Sequence, residues 1–305
     1  MSSVLYDAPG PRGRRRILIG SLVAGVAVLA VLYLAARRLA DNGQFEAEKW
    51  APLFDPSTEE FPLVWGLIGE AAVKTLTAAV LAITFSLIIG TLLAVSRITA
   101  SRLWRGPIVG IIELLRGVPV VIAIFFASRV LPSYGVEIPD TDFLGIPLDS
   151  LMWYVVIGLT AYNSVVIAEI IRAGVNSLPR GQGEAASAIG LTRGQTLRLI
   201  LLPQAFRVML PALISQLVVV LKDTSLGSFI GWQELLRTGT LIKESTDNPI
   251  QMYLVIGAMF IIVNYLLGRL AQYVERRLSR SKTIGTTKAA EDELAAAGAA
   301  PTAGA

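Results

Sequence analysis

The chain has 305 residues, 53% of them hydrophobic and only 16% charged, with a mean hydropathy of +0.61; soluble domains carry about 25% charged residues, so a polytopic membrane protein is expected. There is no cysteine and no histidine, which excludes a disulfide framework, thiolate chemistry, serine–histidine catalysis and the commonest metal ligands. The formal net charge of +4 is spread among apolar runs instead of gathered on one basic face, which fits loop bias in a membrane protein and not nucleic-acid binding.

A helix needs about 20 mostly apolar residues to cross a bilayer, and six candidate spans follow in order. The first runs from Ile17 to Ala36, uncharged, preceded by Arg12, Arg14, Arg15 and Arg16 and followed by Arg37 and Arg38. It is longer than the apolar core of a secretory signal and reads as an uncleaved anchor. The second runs from Gly66 to Val95, with Glu70 and Lys74 spaced as an i,i+4 pair. The third covers Pro107 to Leu131, the fourth Leu151 to Ile171, the fifth Ala205 to Leu221 and the sixth Met252 to Leu270. Residues 37–62 read as a linker, and the Ala/Gly-rich residues 280–305 as a disordered tail. Alternate loops carry 19 and 6 Lys and Arg, with Lys74 and Arg129 left inside spans. That imbalance places both termini in the cytoplasm.

Four polar residues at or near membrane depth are candidates for a solute pathway, because ionisable groups in spans are costly and those that persist line a cavity or make a pair. Arg129 reads either as a cation snorkelling to the headgroups or as one in the pathway, where it would favour an acidic solute. Asn163, midway along the fourth span, reads as a pathway residue or as an interhelical hydrogen bond. Lys222 and Asp223 end the fifth span and read as a local or intersubunit pair or as solute contacts. Glu169 with Arg172, and Glu113 with Arg116, have the i,i+3 spacing of helix-surface ion pairs.

The connector from residue 176 to 205 is neither polar filler nor a continuous apolar run. Gly181 and Gly183 are expected to end one element, Glu184 to Ile189 to form a short alanine-rich helix, and Gly190 to break it. Thr192 can cap a second helix running through Gln195 to Leu202 and Pro203. Two short helices at about a right angle, lying on the membrane surface, would offer a small-residue face to a partner, with Arg193 and Arg198 at its rim. An amphipathic interfacial helix is the other reading.

Glu184-Ala185-Ala186, then Gly190, Ile200 and Leu202-Pro203 at their spacings, resemble the EAA loop of bacterial ABC-transporter importer permeases. Glu113-Leu114-Leu115-Arg116-Gly117-Val118-Pro119, Ala168 to Gly174 and Lys222 to Leu226 resemble stretches of the polar amino-acid branch, glutamate/glutamine type. The resemblance covers about residues 63–279. It implies an all-α fold, a five-helix permease core plus one extra N-terminal transmembrane helix, in the bacterial cell membrane. It also implies that Glu184, Ala185, Ala186, Gly190, Leu191, Arg193, Ile200 and Pro203 form the part that docks on an ATPase. The implied partners are a second permease subunit, identical or related, two cytoplasmic ABC ATPases, an extracytoplasmic solute-binding protein and a polar amino acid. The chain has no phosphate loop of the form G-x-x-x-x-G-K-[ST]. No cofactor, metal or catalytic residue is therefore expected on it, and ATP would be used by the partner ATPase. The alternative function is a membrane scaffold or receptor that docks a cytoplasmic partner without transport. An ion-coupled secondary transporter would leave the 176–205 connector without a role.

Overall fold

A computed structural model describes residues 10–143 and 145–280; the expected tail, from residue 281 on, lies outside them. The apolar runs become α1 (Pro11–Asp41), α3 (Glu60–Thr99), α6 (Ser150–Ser177), α9 (Leu202–Asp223) and α11 (Pro249–Arg280). Each extends past its predicted span at both ends, because the hydrophobic run marks only the stretch that must avoid water, while backbone hydrogen bonding continues beyond it.

The third predicted span is not one straight helix. It is α4 (Arg102–Gly117) followed by α5 (Val120–Ser133), bent by 101° at Val118-Pro119. Val118 is extended, with φ −86° and ψ 127°. Proline has no N–H to donate and its ring excludes the helical region for the residue before it, so the helix stops at Gly117. The 14 residues of α5 rise only about 21 Å, short of a bilayer's apolar core of about 30 Å.

At the centre stands α6, which packs against α3, α5 and α9. The face of α3 turned inward carries Ala71, Ala78, Ala79, Ala82 and Ala94, all buried. Small side chains let helix backbones approach where lipid supplies no hydrophobic drive between helices. Around α6, Ile124, Met152, Val155, Leu159, Val220 and Trp232 make the main cluster. By contrast, α1 buries none of its residues.

The bundle end far from residues 178–201 holds further structure, part of it within the expected linker at residues 37–62. These are α2 (Ala47–Phe54), an antiparallel hairpin of β1 (Thr141–Phe143) with β2 (Ile146–Leu148), and α10 (Leu235–Thr246). Asp149 caps α6 by accepting the Met152 N–H at 2.7 Å, and its other oxygen accepts from the buried Trp232 indole at 3.3 Å. Glu234 caps α10, accepting from the N–H groups of Leu236 (2.8 Å) and Arg237 (2.7 Å).

Lys49 ties α2 to the α10–α11 corner. Its ammonium lies 2.7 Å from Asp247 Oδ2 and donates to the Asp247 carbonyl at 2.7 Å, while the Asn248 amide donates to the Lys49 carbonyl at 3.2 Å. The hydrogen bond and charge of Lys49 hold the Asp247 carboxyl below the ordinary carboxylate range. A depressed folded-state value means the stabilisation is complete above the unfolded carboxylate's value of about 3.9 and is lost as pH falls through the lower folded value. Asp247→Asn should therefore lower the thermal midpoint in detergent at neutral pH, by a small amount because the pair is exposed. That difference from the parent should vanish once pH falls below the folded-state value. A gap independent of pH would contradict the ion pair.

Candidate functional site

The connector between α6 and α9 begins at Leu178, extended (ψ 148°) ahead of Pro179, as a pre-proline residue must be. A short helix, α7 (Gly181–Ala188), follows. Gly181 and Gly183 lie in its first turn and do not end a preceding element, contrary to expectation. The end of α6 is set by the proline, two residues earlier.

Gly190 does end α7. Its φ is +83°, its N–H donates to Ser187 O at 3.0 Å, and the Leu191 N–H donates to Ala186 O at 3.1 Å. These two bonds form a Schellman stop, which satisfies carbonyls left open at the helix end and favours glycine in the left-handed position. Thr192 then caps α8 (Arg193–Gln195). Its N–H donates to Gln195 Oε1 at 2.9 Å, and its hydroxyl accepts the Gln195 N–H at 3.4 Å, a reciprocal capping box.

The second element is not a separate surface helix ending at Pro203. It passes through a π-helical turn, Thr196–Leu201, straight into α9. Pro203 cannot donate to the residue four back, and the wider turn before it relieves the ladder there.

Within the connector, Ala186 is buried against the π turn, where Thr196 and Leu197 are also buried. Glu184, Ala185, Gly190, Arg193 and Pro203 are exposed, and Leu191 and Ile200 half-buried. Ile189 is 77% exposed. The result is a rigid, solvent-facing ridge of small residues with a carboxylate at its start, an apolar tip at Ile189 and a cation beside it. Its two stems touch: a Cβ on Gly174 would stand 2.3 Å from Met209 Cγ and 3.2 Å from the Ala205 carbonyl. The ends of α6 and α9 are therefore in close contact, with no room for a side chain at Gly174.

The four pathway candidates do not form one cluster, and among the described residues no hydrogen bond or ion pair joins any two of them. Arg129 is exposed near the end of α5. Asn163 is fully buried, donating to Leu159 O at 2.8 Å and accepting from Gln216 Nε2 of α9 at 2.7 Å. This is an interhelical bridge between α6 and α9. Lys222 is exposed on a groove of about 180 Å³ that Ser225, Leu236 and Tyr253 also line, and Asp223 is half-buried.

Glu70 and Lys74 pair at 2.8 Å, and Glu169 and Arg172 at 2.9 Å, as their spacing predicts. Glu113 does not pair with Arg116; its carboxylate instead lies 4.0 Å from Arg97 of α3, which also contacts Glu169. Sequence reasoning counted Arg97 only as a loop charge, because its partners are 16 and 72 residues away.

Residues 67–280 match the family of inner membrane components of binding-protein-dependent transport systems. The chain is 40% identical over 241 residues to the glutamate transport system permease protein GluD of Corynebacterium glutamicum, covering 79% of this chain and 83% of that one. It is 31% identical over 214 residues to the glutamate/aspartate import permease protein GltK of Escherichia coli O6:H1, covering 68% and 92%. Among solved structures, a crystal structure of an amino acid ABC transporter with histidines superimposes with a TM-score of 0.61 at 27% identity. The match covers 72% of this chain and 99% of that one.

Proposed function

This chain belongs to the inner membrane components of binding-protein-dependent transport systems, and from that premise we propose that it carries glutamate or glutamine inward through an ATP-driven importer. It is the multi-pass permease subunit of an ABC importer. The observation that carries the mechanism is the exposed ridge from Glu184 to Arg193, borne on two stems in contact at Gly174. Ridge and stems form a lever: a cytoplasmic ATPase gripping the ridge moves α6 and α9 as a pair. Two permease subunits, identical or related, enclose the pathway. Two ATPases bind and hydrolyse ATP, and closure of those ATPases opens the pathway toward an extracytoplasmic solute-binding protein. Hydrolysis resets it, in an alternation between two packings of the same helices. This chain needs no cofactor or metal of its own.

Both termini are cytoplasmic in this reading, supported by the 19-to-6 distribution of Lys and Arg. The chain has no native cysteine, so single-cysteine labelling is clean. In intact cells an impermeant maleimide should label a cysteine at Ser133, exposed at the end of α5, and spare one at Ser2. The reverse pattern would invert the topology and remove the ridge from the ATPase side.

An acidic solute is supported by the names of the relatives and by Arg129, whose exposed guanidinium lowers the energy of an approaching carboxylate. At an effective dielectric of about 20, a charge pair 4 Å apart is worth about 4 kcal/mol before desolvation is subtracted. The expected net effect, after desolvation, is about one to two powers of ten in rate, at about 1.4 kcal/mol for each. Arg129→Gln should slow glutamate uptake more than glutamine uptake in a deletion strain, and Arg129→Lys should be milder. Equal losses for both solutes would make Arg129 a headgroup anchor and withdraw the preference for an acidic solute.

A further inference from the structure

Three helices meet at one guanidinium near the cytoplasmic ends of the spans. Arg97, near the end of α3 and 16% exposed, contacts Glu169 of α6, which is 17% exposed and held from its other side by Arg172 at 2.9 Å. Its remaining face points to Glu113 of α4 at 4.0 Å, and Glu113 is 55% exposed. The two halves of this network differ in strength. Between α3 and α6 the ions are largely out of water and hydrogen-bonded, so breaking that half would strand a buried charge. Between α3 and α4 the contact is long and solvated, the kind of pair that costs little to break and remake.

Against α6 and α3, on which it packs, α4 buries one residue among those described, Ile112 beside Glu113. Beyond α4 the chain bends by 101° into α5, which carries Arg129. At the other side of the network, α6 continues to Ser177 and the ridge.

We propose that Arg97 is a positioning residue for transport, joining α4 to the stem of the ATPase-docking ridge by its contact with Glu113. The ridge moves α6; Glu169 carries Arg97 with it; Arg97 draws or releases Glu113, so α4 is held in one state and can shift on α6 in the other. This inference rests on the coupling role given to the ridge, and adds to it a route by which the movement reaches α4.

The test uses the full transport complex in proteoliposomes, with permease, ATPase and binding protein present, measuring glutamate uptake and ATP hydrolysis together. Glu113→Gln removes only the exposed arm. It should leave ATPase association and hydrolysis unchanged while glutamate carried per ATP falls about fivefold or more, the range of ordinary coupling energies. Arg97→Lys keeps the charge but replaces the wide planar fork by a compact ammonium, which held at Glu169 falls short of Glu113, and should produce the same uncoupling. The double variant should be no worse than either single one, since all three break one link. Unchanged uptake per ATP in Glu113→Gln, or additive losses in the double variant, overturns the proposal. So does loss of ATPase association in Glu113→Gln, because the exposed arm would then hold the assembly together instead of coupling it. A parent complex that hydrolyses ATP without moving glutamate would instead count against the proposed function.

Discussion

Glu184→Ala combined with Gly190→Trp should abolish glutamate uptake while the chain still inserts in the membrane. Glu184 stands exposed in the first turn of α7, where the partial positive charge of a helix N-terminus favours a carboxylate, and it opens the ridge that meets the ATPase. Gly190 acts by two separable means. Its φ of +83° costs an L-residue about 1–2 kcal/mol, which weakens the Schellman stop. Nothing lies within 4 Å of where its Cβ would be, so an indole there extends into solvent, across the surface the partner must approach. Gly190→Ala isolates the strain from the bulk and should retain part of the uptake. Labelled uptake, an immunoblot of the membrane fraction and co-purification of the ATPase are the three readings. Uptake and co-purification both at parental levels would sink the coupling assignment.

The second large effect comes from a single methyl group. A Cβ on Gly158 would stand 2.6 Å from the Cα and 2.7 Å from the N of Ile124, so the obstacle is the backbone of α5 and no rotamer change relieves it. Gly158→Ala must push α5 off α6, at a cost of about 1–3 kcal/mol as overpacking usually runs, and it shifts Arg129 along with the helix. Gly66→Ala on α3 is the control, with nothing within 4 Å of its Cβ position. It should be neutral or slightly stabilising, as alanine is in helices. The expected result is a lower thermal midpoint in detergent and slower uptake for Gly158→Ala alone. Equal midpoints for the two variants would refute the close α5–α6 contact.

The sequence disclosed what depends on one stretch of chain. Apolar runs at 66–95, 151–171, 205–221 and 252–270 mark helices because desolvation acts on each segment by itself. The stop at Gly190 and the start at Thr192 were legible because caps are local chemistry. Pro119 stood in plain view inside the third run, yet hydropathy weighs how apolar a stretch is and ignores the missing N–H, so the 101° bend was overlooked. Helices α2 and α10 were passed over because 8 and 12 residues make no membrane-length run. Their stability comes from partners elsewhere, such as Asp247 for Lys49. Glu113 had an i,i+3 candidate in Arg116, but Arg97, on the neighbouring helix, is the partner that meets it. Asn163 was singled out for its depth, and its hydrogen bond to Gln216 spans 53 residues. No periodicity within α6 could announce it.

The Lys49–Asp247 latch joins residues 198 positions apart, and that separation sets a timetable for biogenesis. At about 5–20 residues per second of synthesis, some 10–40 seconds pass between the appearance of Lys49 and that of its partner. During that interval α2 has no anchor at the α10–α11 corner, and Trp65, whose indole donates to Leu53 O at 3.0 Å, holds it to α3. Closing the latch is therefore one of the last events of assembly. A chain that ends short of Asp247 can pack α2 on α3 but leaves the Lys49 ammonium without this carboxylate, so the corner forms only when the last helices are in place.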